Sequence, residues 1–245
     1  RNLVNAGVYV LSPQIIGHIE DDVCTDFGRD IFPKIVATEK LYGYTTPEYI
    51  KDMGTPERLE QVSSDYLTGK IARLTLQNKR PAIFLDRDGV INDELNLLHK
   101  AADFGLLPGA AQAVKKINAS DFLAVVVTNQ PVIARGLCSI EQLEEIHKKM
   151  DTLLGREGAK LDAVYYCPHH PDAGYPGENP KYKVACSCRK PQIGLIKQAQ
   201  AELNIDLTRS FFIGDSAIDI LCGSSAGLTT VGVATGNGCK DADIA

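Results

Sequence analysis

Two aspartates two positions apart, Asp86 and Asp88, close the apolar run Ile83-Phe84-Leu85 in "AIFLDRDGVIND" (82–93). Like charges at the end of a buried strand raise each other's pKa unless a cation shares them. A third acid, Asp215, ends the run "FFIGDSAID", and Asp219 follows one helical turn later. Thr128-Asn129-Gln130 end "FLAVVVT", and Arg189-Lys190 precede Pro191, a residue that suits a helix start. Taken singly, each is ordinary turn or cap chemistry. Taken together, acids, a hydroxyl and a lysine arrive in strand order. Hard carboxylate oxygens select Mg²⁺, which commonly binds one or two carboxylates together with substrate phosphate oxygens. A carboxylate beside such an ion can attack phosphorus. A second carboxyl two residues on can protonate the leaving oxygen and then activate water. Thr128 and Lys190 would neutralise the phosphoryl oxygens.

The second cluster is Cys167 and His169 in "YYCPHHP" with Cys186 and Cys188 in "ACSCRKP". Three thiolates and an imidazole form a closed tetrahedral set for a structural zinc, with His170 as the lower-ranked rival of His169. Seven cysteines, an odd count, fit a metal site in a reducing cytoplasm better than a disulfide framework.

The elements that must position these groups alternate from about Pro81 onward. The sequence predicts strands at 82–85, 122–128, 161–166, 210–214 and 229–233. Helices are predicted at 109–117, 139–154 and 192–203. Continuous apolar strands imply a parallel sheet covered on both faces, with ligands at the carboxyl ends. Residues 1–79 read differently, as a partial α/β segment. There "LVNAGVYVLSPQII" predicts a strand running to Ser12-Pro13, and an amphipathic helix begins near Glu57. The boundary lies within 76–82, dividing the chain into 1–79 and 80–245. The chain is 245 residues long, 44% apolar and 23% charged, an ordinary globular composition. A net charge of −5 without a basic cluster argues against a nucleic-acid partner, and no apolar run is long enough for a membrane span. The chain begins at Arg1 rather than Met, which leaves room for an upstream segment. "GNGCKDADIA" follows the last strand without a closing helix.

"FLDRDG", "VVVTNQ", Lys190 and "IGDSAID" resemble, in order, the four motifs of the haloacid dehalogenase (HAD) superfamily of phosphatases. The resemblance implies a HAD-like Rossmannoid α/β fold. It also implies a nucleophile at Asp86, an acid/base at Asp88, and phosphoryl contacts from Thr128 and Lys190. Magnesium would be held by Asp86, Asp215 and the main-chain carbonyl of Asp88. The Cys-x-His…Cys-x-Cys-Arg-Lys-Pro pattern is similar to that of phosphatases acting on D-glycero-D-manno-heptose 1,7-bisphosphate and of histidinol-phosphate phosphatases. In the former, the residue matching Arg189 takes part in substrate recognition, and the zinc-stapled loop would place it. "TNQPVIARG" resembles their "TNQSGIARG", which adds Asn129, Gln130 and Arg135 as substrate contacts. One departure is "ELNL" (94–97), where the family has an Asp-His-Gly-Tyr substrate segment. "NAGVYVLSP" and "IKDMGTPERLEQV" resemble the C-terminal part of sugar-1-phosphate nucleotidyltransferases. Those enzymes' glycine-rich nucleotide loop is not in this chain, so Asp52 is expected to be a turn or cap residue. Such a fusion joins consecutive steps and favours a small sugar-phosphate substrate over histidinol phosphate. A working nucleotidyltransferase with a silent phosphatase module is the reading from another enzyme class.

Overall fold

The computed structural model describes residues 5–241. In the first part, a 3₁₀ turn at Pro13–His18 is capped by Ser12, and a π-helical turn at Phe27–Ile31 runs into α1 (Phe32–Ile35). α2 (Pro56–Leu67) starts as its sequence implies, with Thr55 capping the Arg58 N–H and a proline in the first turn, and α3 (Lys70–Arg73) follows. The strand predicted for 3–12 is a correction. Its residues 3 and 4 lie outside the described residues, and 5–12 are not strand. Val8 and Val10 are 80% and 101% exposed, so the apolar alternation has no neighbouring strand to pair with among the described residues. The segment meets the rest of the chain through Arg73, whose Nη1 donates to Asp121 at 2.8 Å. Asn204 Nδ2 also donates to the Leu76 carbonyl at 2.9 Å.

The remainder is a five-stranded sheet of β1 (Ala82–Leu85), β2 (Leu123–Asn129), β3 (Ala163–Cys167), β4 (Phe211–Gly214) and β5 (Thr229–Gly232). All pairings are parallel and the order is β3-β2-β1-β4-β5. The helices are α4 (Ala110–Asn118), α5 (Ile140–Arg156), α6 (Gly194–Leu203) and α7 (Ala217–Ser225). Period-two alternation divides β2 between two cores. Ala124 and Val126 pack with Val114 of α4 and Leu143, Ile146, Met150 and Leu154 of α5. Leu123, Val125 and Val127 face Leu195, Ile196 and Ala199 of α6 and Cys222 of α7. With apolar side chains on both faces, β2 is a continuous hydrophobic run. α5 is fixed at its start by a capping box, Ser139 with Gln142. The chain winds outward from β1 in both directions, and the crevice of such a sheet opens where the order reverses, between β1 and β4.

Candidate active site

Asp86 follows β1 at that switch point, and its N–H donates to the Ile213 carbonyl of β4 at 3.0 Å. Asp215 follows β4, and Thr128 lies near the end of β2. Lys190, 3% exposed, reaches in from the loop before α6. Its Nζ is 2.8 Å from Asp86 Oδ1 and 2.6 Å from Asp219 Oδ1. Asn129 pins that loop reciprocally: its Oδ1 accepts from Lys190 N at 2.9 Å, and its Nδ2 donates to Lys190 O at 3.1 Å.

The carboxylates of Asp86, Asp215 and Asp219 offer oxygens within 4.8 Å of one another. Lys190 is the cation paired with two of them, which leaves the cluster short of positive charge. Burial, only partly opposed by Lys190 and reinforced by Asp219 and Asp88, pushes the Asp86 carboxyl up to about 7. Burial also raises Asp215. Burial would lower Lys190, but Asp86 and Asp219 outweigh it and hold the ammonium charged. A hard divalent cation resolves the excess of negative charge, so these residues fit Mg²⁺.

Asp88 takes a different place from Asp86 and Asp215. Its side chain is outside the cluster and is held by Arg87 Nη2 at 2.9 Å to both oxygens, Asn92 Nδ2 at 2.9 Å and Gln130 Nε2 at 2.8 Å. Its carboxylate is thereby committed to protein donors rather than to the three-acid cluster. Burial would raise this carboxyl, but Arg87 and the hydrogen bonds hold it below the usual range. Asp219, by contrast, joins the cluster and completes a capping box on α7, accepting from Ser216 Oγ at 2.7 Å. Arg87 is fully buried, and its Nη1 lies 3.4 Å from His147 Nε2 on α5. Burial, reinforced by Arg87, pushes His147 down to about 3, so the imidazole is neutral. Neither Asp219 nor Arg87 was assigned a role from sequence. Their positions beside motif residues were the available signal.

A cavity of about 330 Å³ opens beside Asp88, lined also by Glu94, Asn129, Gln130, Arg189 and Asn237. Gln130 Nε2 donates to both Asp88 and Thr128 Oγ1, tying the β2 end to the motif-one turn. Arg135 stands next to this cavity's neighbouring loop rather than in its wall. Its guanidinium lies over the Tyr175 ring, 4.4 Å from the centroid. The departing segment 94–97 does reach the wall. Glu94 accepts from Asn96 N at 2.6 Å, and Asn96 and Leu97 take φ values of 50° and 81°. Non-glycine residues in that region persist only where their surroundings hold them.

Cys167, His169, Cys186 and Cys188 do converge. The sulfurs are 3.1 to 3.5 Å apart, and His169 Nδ1 is 3.3 Å from Cys188 Sγ and 3.6 Å from Cys167 Sγ. A tetrahedral zinc with bonds of about 2.3 Å needs edges of about 3.8 Å, so a small expansion admits the ion. The three cysteines are free of disulfides. His170 turns away, its Nδ1 accepting from Asp172 N at 3.2 Å. The Arg189 Nη1 bond to the His169 carbonyl, 3.4 Å, links this cluster to the cavity. Asp52 sits in a turn, bonded to Gly54 N at 2.9 Å and ion-paired with Arg58.

Comparison with known proteins bears on this geometry. Residues 187–244 match a family model described as HAD-hydrolase-like. The chain is 44% identical over 150 residues to the D-glycero-β-D-manno-heptose-1,7-bisphosphate 7-phosphatase of Photorhabdus laumondii, covering 61% of this chain and 78% of that protein. It is 40% identical over 172 residues to the Haemophilus ducreyi protein of the same name, covering 67% and 92%. A crystal structure of a D,D-heptose 1,7-bisphosphate phosphatase from B. bronchiseptica, complexed with magnesium and phosphate, superposes with a TM-score of 0.57. That pair is 35% identical, with 64% of this chain and 83% of the other covered.

Proposed function

The chain belongs to the HAD-like family of D-glycero-β-D-manno-heptose-1,7-bisphosphate 7-phosphatases, and from that premise we propose that it removes the 7-phosphate of this sugar bisphosphate. The observation that carries the reading is the convergence of Asp86, Lys190 and Asp215 at the sheet's switch point, beside a polar cavity that includes Arg189.

In the proposed mechanism a carboxylate oxygen of Asp86 attacks phosphorus. The bond from phosphorus to the sugar oxygen breaks, and that oxygen receives a proton through Asp88, which takes it up from solvent beforehand because Arg87 favours its ionised form. Asp88 then takes a proton from the water that attacks the aspartyl-phosphate, releasing phosphate and restoring Asp86. The ionised form of Asp88 that Arg87 favours suits this second step. Lys190 and Thr128 neutralise and orient the phosphoryl oxygens, with Asp219 keeping Lys190 charged and in place. Magnesium, held by Asp86, Asp215 and the Asp88 main-chain carbonyl, would supply charge neutralisation at the phosphoryl group. Arg189, Asn129 and Gln130 form the substrate side of the cavity. The zinc set Cys167, His169, Cys186 and Cys188 has no open position and keeps Arg189 and Lys190 in register. Residues 1–79 we read as part of a nucleotidyltransferase-like domain. The engagement of Asp52 with Arg58 supports a structural role for Asp52 there.

Phosphate release from the heptose bisphosphate, compared with histidinol phosphate, tests the assignment. Turnover of the bisphosphate is expected, and preference for histidinol phosphate would refute it.

A further inference from the structure

The loop leaving β5, residues 235–239, belongs to none of the four motifs, yet it carries the hydrogen bonds of a central carboxylate. Asp215 Oδ2 accepts from Asn237 N at 2.6 Å and from Asn237 Nδ2 at 3.0 Å. The Asp215 carbonyl accepts from Cys239 N at 2.6 Å. Thr235 Oγ1 donates to the Gly89 carbonyl, also at 2.6 Å, stitching the same loop to the motif-one turn. A Cβ on either Gly89 or Gly236 would be driven into Asp215 Oδ2. Asp215 is therefore enclosed between two backbone turns, and Asn237 contributes the side-chain donor that orients it.

Asn237 also lines the cavity beside Asp88, Gln130 and Arg189. Its amide can face Asp215 only with the nitrogen, because the oxygen would repel a carboxylate. That leaves Oδ1 as an acceptor with no partner among the described hydrogen bonds of this side chain. We propose that Asn237 is a positioning residue with two faces. Nδ2 holds the Asp215 carboxylate in the orientation a divalent cation needs, and Oδ1 accepts a hydrogen bond from a hydroxyl of the sugar. The second half rests on the phosphatase reading, and the first does not.

The test compares the full chain with Asn237→Leu, which removes both polar atoms at similar size, and with Asn237→Ser should the leucine variant not fold. Mn²⁺ binding, followed by electron paramagnetic resonance without substrate, reads the positioning role. Loss of an outer-shell bond of this kind is expected to weaken binding about tenfold with the melting temperature unchanged. Affinity within about twofold of wild type overturns that half. The hydroxyl contact is read by KM on the heptose bisphosphate against KM on an aryl phosphate, which has no sugar hydroxyls. A rise confined to the bisphosphate is expected, whereas an equal change on both overturns the contact. Failure of wild type to hydrolyse the bisphosphate removes the hydroxyl half and the phosphatase reading together, while the Mn²⁺ result still decides the other half.

Discussion

Replacing Gly89 with alanine puts one methyl group where the site has no space for it. Gly89 takes a φ of 76°, where an L side chain costs about 1–2 kcal/mol. The added Cβ would run into the Asp215 carboxylate and lie 3.1 Å from Gly236 Cα. Asp215 cannot swing aside freely, since Asn237 holds Oδ2 through two bonds. Giving up a hydrogen bond to a charged group costs about 1.5–3 kcal/mol. The sum is about 2.5–5 kcal/mol, which corresponds to a melting temperature lower by about 5–20 °C for a chain of this size. Activity should fall further than stability explains, by about 10²-fold, because the displaced carboxylate belongs to the proposed magnesium set. Gly105→Ala is the control. No atom lies within 4 Å of a Cβ at Gly105, so that variant should stay within about 0.5 kcal/mol of wild type. Differential scanning fluorimetry and phosphate release at saturating Mg²⁺ measure both effects. A Gly89→Ala protein with wild-type turnover would refute the packing of Asp215 against the motif-one turn.

Three further outcomes follow from the same geometry. Cys188→Ser should release zinc to a chromophoric chelator and lower the melting temperature, and an unchanged metal content would contradict the four-ligand set. Truncating Arg87 to Ala leaves Asp88 buried without its cation and should cost about 3–5 kcal/mol by urea unfolding, against no change if the pair were ornamental. His147, near 3 in the folded protein and about 6.5 unfolded, has a depressed value, so the unfolded chain binds the extra proton. Its contribution is complete above pH 6.5 and is lost as pH falls towards 3, at about 1.4 kcal/mol per pH unit. The stability difference between wild type and His147→Gln should therefore shrink across that window, and a pH-independent difference would rule the account out.

Much of the catalytic half was legible because its chemistry is local. A carboxylate that terminates an apolar run stays at the end of that strand whatever its neighbours do, so Asp86, Thr128 and Asp215 could be set on one rim before any sheet order was known. The convergence of Cys167, His169, Cys186 and Cys188 was legible for the same reason, as pairs whose spacing survives folding. What escaped was set by long-range packing. Asp219 enters the cluster only because Lys190 arrives from another loop and bridges it to Asp86. Asn237 meets Asp215 through a turn that carries no motif. Arg135, in a stretch that resembles a substrate segment, is drawn onto Tyr175 of the neighbouring loop. The alternation at 3–12 is strand-like locally, but a strand needs a partner, and the described residues supply none.

The central claim is that Asp86 carries the phosphoryl group between two half-reactions. Rapid acid quench during turnover of the heptose bisphosphate, followed by peptide mass spectrometry, tests it directly. The account predicts one added phosphoryl group on the peptide containing Asp86, sensitive to hydroxylamine and absent from Asp86→Asn, which should release no phosphate. Phosphate release that persists in Asp86→Asn would contradict it.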